Sequence, residues 1–121
     1  MTLKDEILAI EKGFWTAGEE HFLAHVDDQC LLVFTQMRGL YSRAEVAASA
    51  RDPHRWSNLR IADVLLHQPR EDALFLAYEA RVNRATGAPY RALIGSAYLR
   101  REGGWKLTSH QHSELVPEES A

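Results

Sequence analysis

The sequence contains one cysteine, Cys30, among its 121 residues. This excludes an internal disulfide and any zinc site built from several thiolates. No apolar run approaches the roughly 20 residues that a membrane-spanning helix requires. The charged segment from Met1 to Gly13 also lacks the apolar core of a signal peptide, so we expect a cytoplasmic protein without membrane partners.

Positive charge is not in excess, because 14 Lys and Arg residues face 17 Asp and Glu residues, for a formal net charge of -3. This balance argues against a nucleic-acid partner, which normally requires clustered basic side chains. Glycine-rich phosphate loops and the Gly-x-Ser-x-Gly nucleophile motif are also absent. We therefore expect neither nucleic-acid binding nor a cofactor.

Apolar residues recur at helical spacing near the N-terminus, which predicts amphipathic helices over 3–15 and 19–26. In the second helix, Phe22, Leu23 and Val26 are expected to face inward. The order of the elements, with helices first and long strands last, predicts an α+β domain whose helices pack on one face of an antiparallel sheet.

Strand patterns and turn signals occupy most of the remaining chain. A capping-box pattern from Ser42 to Glu45 begins a third helix, which must end before Pro53. We expect one domain over 1–116 and a polar tail over 117–121. The predicted strands are 29–35, 39–41, 59–68, 73–84, 90–101 and 103–113.

Alternation assigns the faces of the long strands, because successive side chains point to opposite sides of a sheet. Tyr78 belongs to the apolar, inward set of its strand, together with Leu74, Leu76, Ala80 and Val82. The following strand is apolar on both faces, which is typical of a central strand. Its inner set includes Ser96 and Tyr98, and its outer set includes Leu93, Ala97 and Leu99.

The last strand follows the Gly103-Gly104 turn and starts with alternating residues in which Trp105 and Leu107 point inward. Continued without interruption, this alternation places Ser109 and Gln111 on the inner face. It places His110 and His112 on the outer face, beside Lys106.

Neither histidine pair predicts a metal site. His110 and His112 are only two ligands, whereas a catalytic zinc takes three from the protein. His21 and His25 have helical i, i+4 spacing but lack the His-Glu-x-x-His motif. Surface or dimer-interface positions are the favoured interpretation for His110 and His112, and a solvated helix face for His21 and His25.

The order of these motifs carries a family resemblance. Two helices, an Asp-Asp pair before a strand, a loop with Trp56 and a meander ending in Gly-Gly-Trp-Lys-Leu follow one another over about 3–113. In this order and spacing the chain resembles the nuclear-transport-factor-two-like superfamily, especially its SnoaL-like and other small bacterial members. The resemblance implies a cone-shaped α+β barrel with a pocket at its wide end, and a homodimer formed through the outer face of the sheet.

Ketosteroid isomerases of this fold use a tyrosine on the first helix, an aspartate base on the first strand and an aspartic acid on a later strand. By position, Phe14 and Trp15 are the first-helix aromatic residues in place of the tyrosine. Val33 stands where the base would be, and Ser96 falls near the place of the aspartic acid. The proton-abstracting base is missing. The resemblance therefore does not predict that activity here.

The leading hypothesis is a pocket protein for a small apolar or aromatic molecule, because an apolar pocket with a few polar groups is the usual small-molecule site. A filled core, in which the polar groups satisfy one another, is the alternative. The candidate lining residues are Phe14, Trp15, Val33, Trp56, Tyr78, Ser96, Tyr98, Ser109 and Gln111.

Two other functions stay open. One is a cofactor-independent isomerase, dehydratase or hydrolase, which would pair an acid–base group with the donors Tyr78 and Gln111. Its candidate acid–base groups are Asp63, Glu79 and His110. The other is a dimeric association module that acts through the outer face of the sheet.

Overall fold

The computed structural model describes residues 2–116, so the predicted tail at 117–121 lies outside the described residues. Three helices accompany six strands in the described part of the chain. The helices are α1 (Leu3–Thr16), α2 (Glu19–His25) and α3 (Arg43–Ala48). The strands are β1 (Val26–Val33), β2 (Arg38–Ser42), β3 (Trp56–Arg70), β4 (Ala73–Arg84), β5 (Pro89–Arg101) and β6 (Gly104–Glu114).

Local sequence signals explain where two of the helices start. The Thr2 hydroxyl accepts from the Asp5 backbone N–H, and the Asp5 carboxylate accepts from the Thr2 N–H. Ser42 and Glu45 form the same reciprocal arrangement at α3, as the sequence predicts. Each capping box satisfies backbone donors that the first helical turn leaves without a partner. None of the described helices is both long and apolar enough to cross a membrane.

The strands form one curved sheet in the order β2-β1-β6-β5-β4-β3, and the helices pack against it. The predicted cone-shaped α+β fold is confirmed. The sheet is mixed, however, because β1 runs parallel to β6 whereas every other neighbouring pair is antiparallel. We call the side of the sheet that meets the helices the inner face, and the other side the outer face.

The core lies on the inner face, where β4 and β5 present the side chains that alternation predicts. Tyr78 is 2% exposed and Tyr98 is fully buried. On α2, Phe22 is buried as expected, but Leu23 is 48% exposed, so its predicted inward position is wrong. A seven-residue helix has room for only a narrow buried stripe, and Phe22 occupies it.

A bulge in β6 changes the alternation of that strand. Tyr98 pairs with Leu107 and Ala97 pairs with Ser109, which leaves Thr108 as an extra residue without a partner on β5. Two residues of the bulged strand then face one residue of its neighbour, and every side chain beyond the bulge moves to the opposite face.

The predicted faces of the last strand are therefore wrong beyond Thr108. His110 is 8% exposed on the inner face, and His112 follows it there, half-buried. Gln111 is exposed on the outer face, and Ser109 also points to that side. The bulge thus turns two histidines, instead of a serine and a glutamine, toward the interior.

Helices α1 and α2 meet closely at Gly13. A Cβ atom at this position would overlap the His21 imidazole, so glycine is required for the approach. The Nε2 atom of His21 lies 2.8 Å from the carbonyl oxygen of Ile10. His21 is thus a contact between the helices, and the prediction of a solvent-exposed helix face is wrong for this residue.

Candidate functional site

A pocket of about 220 Å³ lies between the helices and the inner face of β1 and β6. We call it the aromatic pocket, because ring side chains supply much of its surface. An apolar enclosure with a few polar groups is the usual form of a small-molecule site. The lining residues are Phe14, Trp15, Phe22, Leu32, Phe34, Val46, Ser49, Arg55, Trp56, Leu107, His110 and His112.

Three of the predicted lining residues, Phe14, Trp15 and Trp56, lie in this pocket. Val33 does not, because Leu32 and Phe34 hold the inward positions on either side of it. Its predicted place in the lining is wrong for the same physical reason as on β6: one residue along a strand reverses the face.

Aromatic contacts hold the rings of the pocket in place. The His112 imidazole stacks on Trp15, with ring centroids 5.1 Å apart and planes inclined by 18°. Phe34 also packs against the His112 ring, with ring centroids 4.5 Å apart and planes inclined by 50°. Trp56 meets Trp15 edge-on at 5.2 Å. Ring pairs at these separations stabilise one another beyond the area they bury, so the pocket is preformed.

A carboxylate, Glu11, lies in the core directly behind this pocket. Its side chain is fully buried on the inward side of α1. Its Oε1 atom accepts hydrogen bonds from the hydroxyls of Tyr78, at 2.9 Å, and Ser96, at 2.6 Å. Its Oε2 atom accepts from the Tyr98 hydroxyl. Three hydroxyl donors to one carboxylate compensate in part for the loss of water.

Tyr78, Ser96 and Tyr98 are on the inner face as predicted, but their hydroxyls donate to Glu11 and none of the three lines the aromatic pocket. The indole N–H of Trp15 donates to the Tyr78 hydroxyl at 2.9 Å, which links this cluster to the pocket lining.

Burial raises the pKa of Glu11 above its ordinary value, and the bonds from the three hydroxyls offset part of that increase. Burial and the nearby Glu11 carboxyl raise the pKa of both Tyr78 and Tyr98 well above the usual range. The two tyrosines therefore stay protonated and remain donors to Glu11.

A row of polar contacts runs from Glu11 to the wall of the aromatic pocket. The Ser96 hydroxyl lies 2.7 Å from Nδ1 of His110. The Nε2 atoms of His110 and His112 are 2.9 Å apart. Nδ1 of His112 lies 3.0 Å from the Tyr90 hydroxyl. Every buried side-chain nitrogen and oxygen in the described part of the chain has a hydrogen-bond partner, so the row is fully satisfied.

Both histidines of the row are neutral at ordinary pH. Burial lowers the pKa of His110 to about 4. Burial, together with the proximity of His110, lowers the pKa of His112 to about 2. A neutral imidazole has one donor and one acceptor nitrogen, so each ring can both donate and accept a hydrogen bond within the row.

Of the predicted acid–base candidates, only His110 reaches the pocket. Asp63 is exposed on β3. Glu79 lies on the outer face, where its carboxylate binds Arg91 at 2.7 Å and Arg81 at 3.2 Å. Among the described residues, no group of three or more His, Cys, Asp or Glu side chains is placed to hold a metal ion.

A larger depression of about 470 Å³ opens over Arg60, Arg81 and Arg91. Two of these arginines already bind Glu79. The aromatic pocket is smaller but lies beside the buried polar row, and for that reason we take it as the candidate site.

Glu11 is not among the residues predicted for the site, although the sequence contains a signal for it. Glu11 follows Ile7 by four residues and precedes Trp15 by four, so all three share one stripe of α1. An acid within an apolar stripe is a candidate for a buried functional group. The bulge at Thr108, in contrast, is not marked by a glycine or a proline in the sequence.

A curved, mixed six-stranded sheet around N-terminal helices, with a pocket between them, defines the nuclear-transport-factor-two-like fold, and this chain has that fold. The fold that the resemblance implies is thereby confirmed. No family model matches the sequence, and no curated protein matches it either.

Solved structures share the fold at low sequence identity. A protein from Kribbella flavida has a TM-score of 0.76 at 13% identity, over 96% of this chain and 90% of its own. A candidate ketosteroid isomerase from Parabacteroides distasonis has a TM-score of 0.75 at 12% identity, over 96% and 90% of the two chains. An NTF2-like protein from Cytophaga hutchinsonii has a TM-score of 0.75 at 13% identity, over 95% and 100%. These similarities concern the fold.

Proposed function

We propose that the protein binds a small apolar or aromatic molecule in the aromatic pocket. The observation that supports this most is the combination of a preformed ring-lined wall with two neutral histidines. An apolar cavity of roughly 150 Å³ accommodates benzene, and sites for drug-sized ligands start at roughly 300 Å³. A volume of about 220 Å³ therefore suits a compound with one ring and a few substituents.

The polar groups of the lining would orient such a molecule. Arg55 is held in place because its Nη2 donates to the Phe14 carbonyl at 2.6 Å and its Nη1 donates to the Ala17 carbonyl at 3.2 Å. His112 lies among the rings of Trp15 and Phe34. A ligand with an apolar ring and one polar substituent matches this distribution.

We expect 4-nitroanisole, a neutral one-ring compound, to bind in a titration followed by calorimetry. Phe34→Ala is expected to weaken its affinity by about tenfold, which corresponds to about 1.4 kcal/mol, because one side of the ring contact is removed. The control is Leu40→Ala, whose side chain is 61% exposed on β2, outside the pocket. Equal losses in the two variants, or no binding by the wild type, would contradict the proposed site.

An acid–base enzyme without a cofactor is the second candidate. The observation in its favour is that His112 lies on the pocket wall and is connected to Glu11 through His110 and Ser96. A general base must come within hydrogen-bond reach of the proton it removes. Both ring nitrogens of His112 contact protein groups, so a substrate proton would have to reach Nδ1 in place of the Tyr90 hydroxyl. The candidate isomerase from Parabacteroides distasonis shares the fold. Proton transfer is therefore the reaction type that we would test first.

We also propose that a second copy of the chain covers the outer face. The large apolar side chains Leu65, Phe75 and Leu93 are 70%, 51% and 50% exposed there. Between them, a groove of about 380 Å³ passes over Ala77, Gly95 and Ala97. Apolar patches of this kind mark association surfaces more often than free surface.

Light scattering at micromolar concentration is expected to give twice the mass of one chain. Leu65→Arg should give the single-chain mass, because Leu65 lines the groove and the new charge would be buried under the second copy. Leu40→Arg is the control, since Leu40 is 61% exposed on β2 at the opposite end of the sheet order. A single-chain mass for the wild type would refute the dimer.

A further inference from the structure

The row of hydrogen-bonded residues from Glu11 to Tyr90 restricts which atoms can carry a proton. Ser96 and Tyr90 each have one hydroxyl proton, and each neutral imidazole has one N–H. With both histidines neutral, only two arrangements satisfy every contact in the row Glu11, Ser96, His110, His112 and Tyr90.

In the first arrangement Glu11 is ionised. Ser96 donates to Glu11, His110 donates to Ser96 from Nδ1, His112 donates to His110 from Nε2, and Tyr90 donates to Nδ1 of His112. In the second arrangement Glu11 carries a proton, and every hydrogen bond in the row runs in the opposite direction. His110 then has its proton on Nε2, and His112 has its proton on Nδ1.

The two arrangements differ by one proton. It is gained at Nδ1 of His112, which lies 3.0 Å from the Tyr90 hydroxyl, and it appears on Glu11 in the core. Neither imidazole becomes charged, which is consistent with the burial that lowers the pKa of both histidines. Burial raises the pKa of Glu11, which makes its protonated form more accessible than that of an exposed glutamate.

We propose that His112, His110 and Ser96 form a proton relay from the aromatic pocket to Glu11, and that the pocket takes up a weakly acidic one-ring molecule, such as a phenol, as its anion. This inference rests on the proposed binding function, and it adds the chemical class of the ligand and the destination of its proton.

The transfer balances as follows. The ligand hydroxyl takes the place of Tyr90 at Nδ1 of His112, its O–H bond breaks, and an N–H bond forms at Nδ1. His112 passes its Nε2 proton to Nε2 of His110, and His110 passes its Nδ1 proton to the Ser96 oxygen. Ser96 passes its hydroxyl proton to Oε1 of Glu11. The ligand oxygen becomes an anion that accepts from Nδ1–H of His112.

The charges around the relay favour this outcome. Arg55 is the one basic side chain with a permanent charge in the pocket lining, and the Arg84 guanidinium lies 4.6 Å from the centroid of the Tyr90 ring. Tyr78 and Tyr98 face Glu11 and remain protonated donors in both arrangements. Cys30 and His21 are the other titratable groups near Glu11, and burial raises the pKa of Cys30 to about 12. Glu11 is therefore the group that accepts the proton.

The test uses 4-nitrophenol, whose absorbance separates the phenol from the phenolate, and 4-nitroanisole, which has no dissociable proton. We expect bound 4-nitrophenol to ionise in the wild type with an apparent pKa about one unit below that in Ser96→Ala, a ratio of about ten. Ser96→Thr keeps a hydroxyl and should restore the wild-type value. Ser57→Ala is the matched control, because Ser57 is an exposed serine on β3.

Equal apparent pKa values in the wild type and Ser96→Ala would overturn the relay while leaving the pocket intact. Failure of 4-nitroanisole to bind the wild type would overturn the binding function itself, and with it the relay. If Ser96→Ala does not fold, nitrogen NMR of the wild type decides. There, 4-nitrophenol but not 4-nitroanisole should move the His110 proton from Nδ1 to Nε2, and an unchanged tautomer would refute the relay.

Discussion

Replacing Glu11 by alanine is expected to lower the free energy of unfolding by about 3–5 kcal/mol, because truncating one partner of a buried polar cluster leaves the others unsatisfied. The hydroxyls of Tyr78, Ser96 and Tyr98 all donate to this carboxylate, and alanine offers no acceptor. Urea denaturation followed by circular dichroism measures the change.

Lys12→Ala is the matched control for Glu11→Ala, since Lys12 is the next residue on α1 and is exposed. It should change the free energy of unfolding by no more than about 0.5 kcal/mol. Combining Glu11→Ala with Tyr98→Phe should cost less than the sum of the single changes by about 1–3 kcal/mol, because the two groups share a hydrogen bond. A loss below about 1 kcal/mol for Glu11→Ala would show that the carboxylate is not fixed in the core.

Acidification from about pH 7 to about pH 5 is expected to destabilise the fold by about 2 kcal/mol for each of the two relay histidines. The folded-state pKa values of His110 and His112 are lowered to about 4 and about 2. The unfolded chain binds protons at ordinary histidine pKa values, so it gains protons in this pH window that the folded chain does not. The stability contributed by the neutral histidines is therefore present above about pH 6.5 and is lost as the pH falls.

Other groups modify this pH dependence in known directions. The pKa of His25 is lowered by burial, which adds to the loss. The pKa of Glu11 is raised, which opposes it, because the folded chain takes up a proton there before the unfolded chain does. The pKa values of Asp27 and Glu79 are lowered by their arginine partners, and their contribution is lost only at lower pH.

The change of the free energy of unfolding with pH can be assigned to the relay histidines by comparing variants. His112→Gln should reduce the number of protons taken up on unfolding by about one between about pH 6 and about pH 5. His67→Gln is the control, because His67 is exposed on β3. A wild-type slope that His112→Gln leaves unchanged would mean that His112 is not buried in its neutral form.

Much of the fold followed from the sequence because helices and strands leave regular patterns. The stripe of α1, the alternation of β4 and the capping box at Ser42 each depend on neighbouring residues, and the structure has them. The order of these elements was enough to identify the cone-shaped fold. The parallel pairing of β1 with β6 depends on contacts between the two ends of the chain, which no local pattern encodes.

The candidate site was only partly predictable, for a specific physical reason. Phe14, Trp15 and Trp56 line the pocket as expected, since large aromatic side chains on inward positions rarely face water. The faces of His110 and Gln111 were reversed by the single unpaired residue Thr108. A bulge depends on how two strands pair, so the alternation within one strand cannot show it.

This reversal changes the functional expectation. With the histidines outside, the pocket would contain no acid–base group, and binding alone would be the natural function. In the structure, His110 and His112 lie on the inner face and line the pocket. A row of polar contacts connects them to the buried carboxylate of Glu11. In the proposed function, small-molecule binding and proton transfer are therefore parts of one site.

Nitrogen NMR of histidine-labelled protein tests this central arrangement most directly. His110 should have its proton on Nδ1 and His112 on Nε2, and both should remain neutral as the pH falls from about 7 to about 5. Ordinary titration of both imidazoles near their usual pKa, with mixed tautomers, would place them in water and contradict the site.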